Sequence, residues 1–122
     1  MMAVKRILLV EDQVNVAVTL ARGLQLGLGK DTWVDTCHSA EAALHFFHLK
    51  PYDLLITDQN LPGLSGLGLI TSLKQSFPHL ITLVITGSPT EQLEVSAREL
   101  STPVIPKPFQ LPSFISLVRD LL

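Results

Sequence analysis

Five short apolar runs, each followed by a stretch of helical period, divide this chain from end to end. Ile7–Val10 reads as a buried strand. Val14–Leu26 follows as a helix, with Val14, Ala17, Val18, Ala21 and Leu24 on one face and Gly27 and Gly29 stopping it. Thr32–Cys37 is a second, weaker strand, and Ser39 suits the N-cap of a helix over Ala40–Leu49 striped by Ala43, Leu44 and Phe47. Asp53–Thr57 is a third strand; Leu61-Pro62-Gly63 is loop, and Ser65 caps a helix running to about Ser76. Leu80–Thr86 is a fourth strand, Thr90–Leu100 a less periodic helix, Val104-Ile105 a very short fifth strand. Pro112–Leu122 is the last helix, with Phe114, Leu117, Val118 and Leu121 turned inward. Strands apolar on both faces belong to a parallel sheet covered by helices on both sides, so the pattern predicts an α/β fold of (βα) repeated five times with right-handed crossovers.

Residues 1–122 fit one domain, with no linker or low-complexity segment; any second domain is expected beyond Leu122. Apolar residues make up 47% and charged residues 16%, which argues against disorder. The net charge of -2 gives no basic footprint for nucleic acid. Cys37 is the only cysteine, so no internal disulfide and no cysteine-based zinc site can form. Glu11 and Asp12 cut the first apolar stretch too short for a signal peptide, and no run approaches the roughly 20 apolar residues of a membrane helix. A soluble, cytoplasmic protein is expected.

The strand ends carry the chemistry. Glu11-Asp12, Asp58, Thr86-Gly87 and Lys107-Pro108 each follow an apolar run at its C-terminal end. In a parallel α/β sheet those ends share one edge, where ligands bind. Singly, each residue is ordinary: an acid after a strand is often a helix cap, and a lysine before proline is usually surface. Together they bring three carboxylates, a hydroxyl and an ammonium to one place. Such carboxylates repel unless a cation neutralises them, and a hard ion such as magnesium suits an all-oxygen set. Asp58 could then act as a nucleophile on phosphorus, Lys107 and Thr86 could stabilise the phosphoryl oxygens, and Gly87 would keep bulk away from them.

The runs Ile7–Asp12, Tyr52–Asp58 with Leu61-Pro62-Gly63, Val84–Gly87 and Pro106–Phe109 resemble the receiver domain of two-component response regulators, in order and over nearly the whole chain. The resemblance implies a CheY-like, flavodoxin-like doubly wound parallel sheet of strand order 2-1-3-4-5. It implies that Asp58 is the phosphoacceptor, charged by a phosphohistidine on a sensor histidine kinase or histidine phosphotransfer protein. It further implies that Asp12 binds Mg2+ directly, that Glu11 acts on it through water, and that the Asn60 backbone carbonyl completes the metal site with Asp58. Thr86 matches the switch hydroxyl, and Lys107 the phosphate-pairing lysine, with its bond to Pro108 cis. The implied protein is a signalling switch whose only catalysis is its own aspartyl phosphorylation and dephosphorylation. It would act on an output domain or partner, with a dimer through the fourth helix, fifth strand and fifth helix as a further implication.

Departures from the family pattern are as informative. Val104 stands where many receivers carry an aromatic that swings inward when the switch hydroxyl moves, so output is expected to run through the Thr86–Thr90 loop instead. Ser65-Gly66 replaces the more usual Asp-Gly, and Asn60 and Ser88 occupy positions that, by the resemblance, flank the path of an attacking water in the family. A pseudo-receiver serving only as an interaction module would have lost the acceptor, an acid or the lysine, and all are present. A haloacid-dehalogenase-type enzyme needs an acid two residues after its nucleophile, where this chain has Asn60; an FMN carrier needs a phosphate-cradling first loop, where it has Glu11-Asp12-Gln13. His38, His45, His48 and His79 read as ordinary surface or boundary residues, Trp33 as partly buried packing, and Pro103 and Pro106 as marks of an edge strand.

Overall fold

The computed structural model describes residues 3–122. Strands β1 (Lys5–Val10), β2 (Thr32–Cys37), β3 (Leu54–Asp58), β4 (Ile81–Thr86) and β5 (Val104–Pro106) alternate with helices α1 (Val14–Leu28), α2 (Ala40–Leu49), α3 (Gly66–Ser76), α4 (Glu91–Glu99) and α5 (Leu111–Leu121). The strands form one parallel sheet of order β2-β1-β3-β4-β5, as the resemblance implies. Its two faces bury separate cores. Leu8, Val10, Leu55 and Val84 meet α2, α3 and α4, while Ile7, Leu9, Leu54, Ile56, Leu83 and Ile85 meet α1 and α5. Each fully buried aliphatic side chain contributes about 2 kcal/mol of transfer free energy, so the central strands carry much of the stability. Ser39, Ser65 and Thr90 cap α2, α3 and α4 by accepting from Ala42, Gly68 and Leu93 N–H.

Helix α1 departs from its sequence reading. It runs through Gly27 to Leu28 and ends at Gly29, which takes φ +89°. Its buried residues are Ala17, Leu20 and Leu24, whereas Val14 and Val18 are exposed. The phase is set by residues that an apolar count passes over. A Cβ at Gly23 would lie 2.8 Å from Leu111, and one at Gly27 2.7 Å from Ile115, so the two glycines let α1 approach α5 closely. In α5, Phe114 and Val118 are buried as expected, and Leu117 and Leu121 only partly.

Both sheet edges are blunted in part, by different means. At β2, Asp31 and Cys37 turn their carbonyls to β1, accepting from Lys5 and Glu11 N–H, so the even-numbered residues face outward. The Gln25 carboxamide of α1 covers two of those outward groups: it donates to the Thr32 carbonyl (2.5 Å) and accepts from Val34 N–H (3.2 Å). A neighbouring strand would satisfy the same groups. At the opposite edge, β5 is three residues long, and Pro106 brings no N–H to the outer side. Gln25→Ala is expected to cost about 1 kcal/mol of stability, read by urea unfolding, and to speed exchange of the Val34 amide.

Trp33 is 53% exposed rather than packed into the core. Its indole N–H donates to Asp35 (2.7 Å) at the exposed surface. Asp35 also accepts from the Tyr52 hydroxyl (2.5 Å) and pairs with Lys50 (3.1 Å). Burial alone would raise its pKa; the bonds from Tyr52, Trp33 and Lys50 outweigh that and hold it below the ordinary 3.8. A depressed carboxyl pKa stabilises the fold above the unfolded value, and the gain is lost as pH falls through the folded one. Unfolding midpoints taken from about pH 5 down to about pH 2 should therefore fall less steeply in Asp35→Asn than in the unsubstituted chain.

Candidate functional site

The sheet delivers four strand ends to one edge. After β1, the Glu11 N–H continues the ladder by donating to Cys37 (3.0 Å), and its side chain is 2% exposed. Asp12, next in sequence, turns to solvent. Asp58 is the last residue of β3, so the strand runs one residue beyond its sequence reading, and its side chain is buried. Thr86 closes β4, buried, and its carbonyl accepts from Lys107 N–H (2.8 Å), which carries the β5 ladder to the lysine. The Lys107–Pro108 bond is cis, as the resemblance implies.

These elements bring Glu11, Asp12, Asp58 and Lys107 together. Lys107 Nζ lies 2.9 Å from Asp58 Oδ2 and 3.1 Å from Glu11 Oε1. One oxygen from each of Glu11, Asp12 and Asp58 falls within 4.8 Å of the others. Three carboxylates thus cluster, and one ammonium pairs with two of them. Burial, with Asp12 and Asp58 nearby, raises the Glu11 pKa despite the bond from Lys107. Burial works against the Lys107 ammonium, but its bonds to Asp58 and Glu11 outweigh this and raise its pKa. The excess of negative charge and the all-oxygen donor set fit a hard divalent cation.

Thr86 and Asn60 stand differently. The Thr86 hydroxyl oxygen accepts from Ser88 N–H (3.0 Å), so the β4–α4 loop holds it. Asn60 N–H donates to Asp58 Oδ1 (3.1 Å), which ties this exposed residue to the acid cluster through its amide. A Cβ at Gly87 would meet nothing within 4 Å, so that flank is open. The cysteine offers no nucleophile: Cys37 is buried, which pushes its thiol up to about 11.

Two supporting residues escape a reading of motifs. His38 is exposed, as expected, yet its Nδ1 donates to the Glu11 carbonyl (2.9 Å) and steadies the β1–α1 loop. Gln59, between Asp58 and Asn60, holds the start of α3. Its carbonyl accepts from Gly66 N–H (3.0 Å), and its side-chain oxygen accepts from Leu67 N–H (2.9 Å). The only sequence signal is an amide side chain placed shortly before a helix start. Gly66 seats directly on this strand end, where a Cβ would lie 2.4 Å from the Asp58 carbonyl oxygen.

A parallel sheet of this order with acids and a lysine at its C-terminal edge defines an α/β domain that handles a charged ligand there. Comparison with known proteins makes this specific. Residues 7–119 match the response regulator receiver domain family. The chain is 35% identical over 114 residues to the response regulator protein FleR of Pseudomonas aeruginosa, a match covering 93% of this chain and 24% of FleR. It is 31% identical over 117 residues to the response regulator ArlR of Staphylococcus epidermidis, covering 95% and 52%. The chain therefore spans about a quarter to a half of the length of these curated relatives. Among solved structures, the non-phosphorylated HemR receiver domain from Leptospira biflexa superposes with a TM-score of 0.87 at 27% identity, over 96% of this chain and 93% of that one. The chemotaxis protein CheY4 of Vibrio cholerae shares the fold with a TM-score of 0.87 at 19% identity, over 98% and 100%. This chain belongs to the response regulator receiver domain family, the signal-receiving module of two-component systems.

The seat of Gly66 generates a test. Gly66→Ala would gain helix propensity but drive a methyl group into the Asp58 backbone. The net effect expected is a loss of roughly 1–3 kcal/mol, measured by thermal or urea unfolding.

Proposed function

We propose that this domain is a phosphorelay receiver. In a magnesium-dependent reaction, Asp58 accepts a phosphoryl group from a phosphohistidine on a sensor histidine kinase or histidine phosphotransfer protein. The aspartyl phosphate then switches an output domain or partner. The observation that carries this reading is the Lys107 bridge: one ammonium within 3.1 Å of both Asp58 and Glu11, with Asp12 in the same cluster.

The chemistry follows from those groups. A carboxylate oxygen of Asp58 attacks phosphorus; the P–N bond to the donor imidazole breaks, and its electron pair stays on the imidazole nitrogen. Glu11, Asp12, Asp58 and the Asn60 carbonyl would hold Mg2+, which when bound offsets charge on the phosphoryl oxygens. Lys107, already on Asp58, keeps its positive charge beside those oxygens as the carboxylate becomes an acyl phosphate. Thr86 donates its hydroxyl to the phosphoryl group after giving up the bond from Ser88 N–H, and this exchange repositions the β4–α4 loop.

Val104 is partly buried against the core on the α4 side and pairs with Val84. An aliphatic residue there has no ring to swing, so the change would leave the site through residues 86–90 and the start of α4, where Thr90 is the cap. The face formed by α4, β5 and α5 is the proposed surface for self-association. In a longer protein the switch would act on an output domain joined after residue 122. Among the described residues no helix is long and apolar enough to cross a membrane, and action in the cytoplasm is proposed.

Incubation with acetyl phosphate and Mg2+ is expected to place acid-stable, base-labile phosphate on the chain. Asp58→Asn should abolish the label, and Lys107→Ala should mainly impair the accompanying activation, read as chemical-shift change in residues 86–90. A chain that takes no label under these conditions would overturn the reading.

A further inference from the structure

Gln59 stands between the two groups proposed to meet the metal from β3, the Asp58 side chain and the Asn60 carbonyl, and its own side chain points away from both. The first three N–H groups of α3 lack partners within the helix, as at any helix start. Gln59 takes two of them: Gly66 N–H on its carbonyl at 3.0 Å and Leu67 N–H on its side-chain oxygen at 2.9 Å. Ser65 takes the third, from Gly68 at 3.1 Å. The Gln59 N–H is itself bonded to the Ile85 carbonyl of β4 at 2.8 Å. One residue is thereby fixed from three sides, to β4 by its amide and to α3 by its carbonyl and its carboxamide. Gly66 packs so closely that no side chain fits between α3 and the Asp58 carbonyl.

We infer that Gln59 is a positioning residue for the metal half of the site, holding the Asp58-Gln59-Asn60 segment in register so that the Asp58 carboxylate and the Asn60 carbonyl reach one ion together. This rests on the magnesium role proposed above. The backbone bonds of Gln59 survive any substitution; the bond from its side chain to Leu67 does not. Without it, the segment is tied to α3 only through the single carbonyl; Asn60 keeps its N–H on Asp58 Oδ1 and Leu61 N–H keeps its bond to the Gln59 carbonyl (3.2 Å), but the register of this turn against α3 loosens. Groups behind a metal site act in this way by limiting the orientations its ligands sample.

The experiment compares Mg2+ affinity, measured by calorimetry and by amide NMR titration, in the unsubstituted chain, Gln59→Leu and Ser65→Ala. Ser65→Ala removes a cap from the same helix start and leaves the Asp58–Asn60 segment untouched. Gln59→Leu should weaken Mg2+ binding about tenfold, the low end of what loss of an outer-shell support costs, and Ser65→Ala should stay within about twofold. The Asn60 amide resonance should move in Gln59→Leu before any metal is added and hold its place in Ser65→Ala. Should Gln59→Leu fail to fold, Gln59→Met, unbranched and without an acceptor, replaces it. Affinity within about twofold of the unsubstituted chain, with Leu67 amide protection lost, overturns the inference, as does an equal loss in Ser65→Ala. An unsubstituted chain that binds no Mg2+ refutes the proposed function itself, and this inference falls with it.

Discussion

Like charges crowded at one sheet edge are the constraint on which the rest of this structure turns. Glu11 and Asp58 are buried, Asp12 lies beside them, and Lys107 pairs with the two buried acids. Buried carboxylates are costly unless paired, and Lys107 offsets part of that cost for Glu11 and Asp58. It reaches both buried acids because the ladder to Thr86 carries β5 up to it. Negative charge remains in excess, and burial first, with Asp12 and Asp58 adding to it, makes Glu11 resist ionisation more than an ordinary glutamate.

Holding such a cluster requires a rigid frame on each side of every loop that bears a charge. The frame is built from backbone bonds that run past the strand ends. Glu11 extends β1 along β2, Gln59 extends β3 along β4, and Lys107 extends β5 along β4. Side chains then take over where the ladders stop, His38 on the β1–α1 loop and Gln59 on the start of α3. The Thr86 hydroxyl is the exception, bonded only within its own loop, to Ser88 N–H, although the backbone of Thr86 is tied to Lys107. The one group proposed to move is the one not anchored to a second element.

What could be read from the chain follows from what each signal encodes. The central strands were legible because burial on both faces leaves unbroken apolar runs, as in Leu54–Ile56 and Leu83–Ile85. The acids and the lysine were legible because parallel topology converts sequence position after a strand into spatial position. Serine and threonine caps showed through their chemistry. The phase of α1 did not, because Gly23 and Gly27 pack by having no side chain, and an apolar count gives them no weight. Trp33 misled for a related reason: its type favours burial, but whether its place on β2 is covered is a property of the assembled fold. Gln59 and His38 hid because their partners are backbone groups on other elements, which leave no mark in composition or period.

The two blunted edges bear on how this domain behaves in company. An open strand edge recruits copies of itself into stacked sheets. At β2 two outward backbone groups are answered by a neutral carboxamide from α1, and at β5 the edge is short and proline-marked. Edges blunted in this way disfavour growth by strand addition and leave helical surfaces and side chains as the favoured ground for contact. Contacts of that kind loosen and re-form, whereas sheet extension traps molecules in polymer.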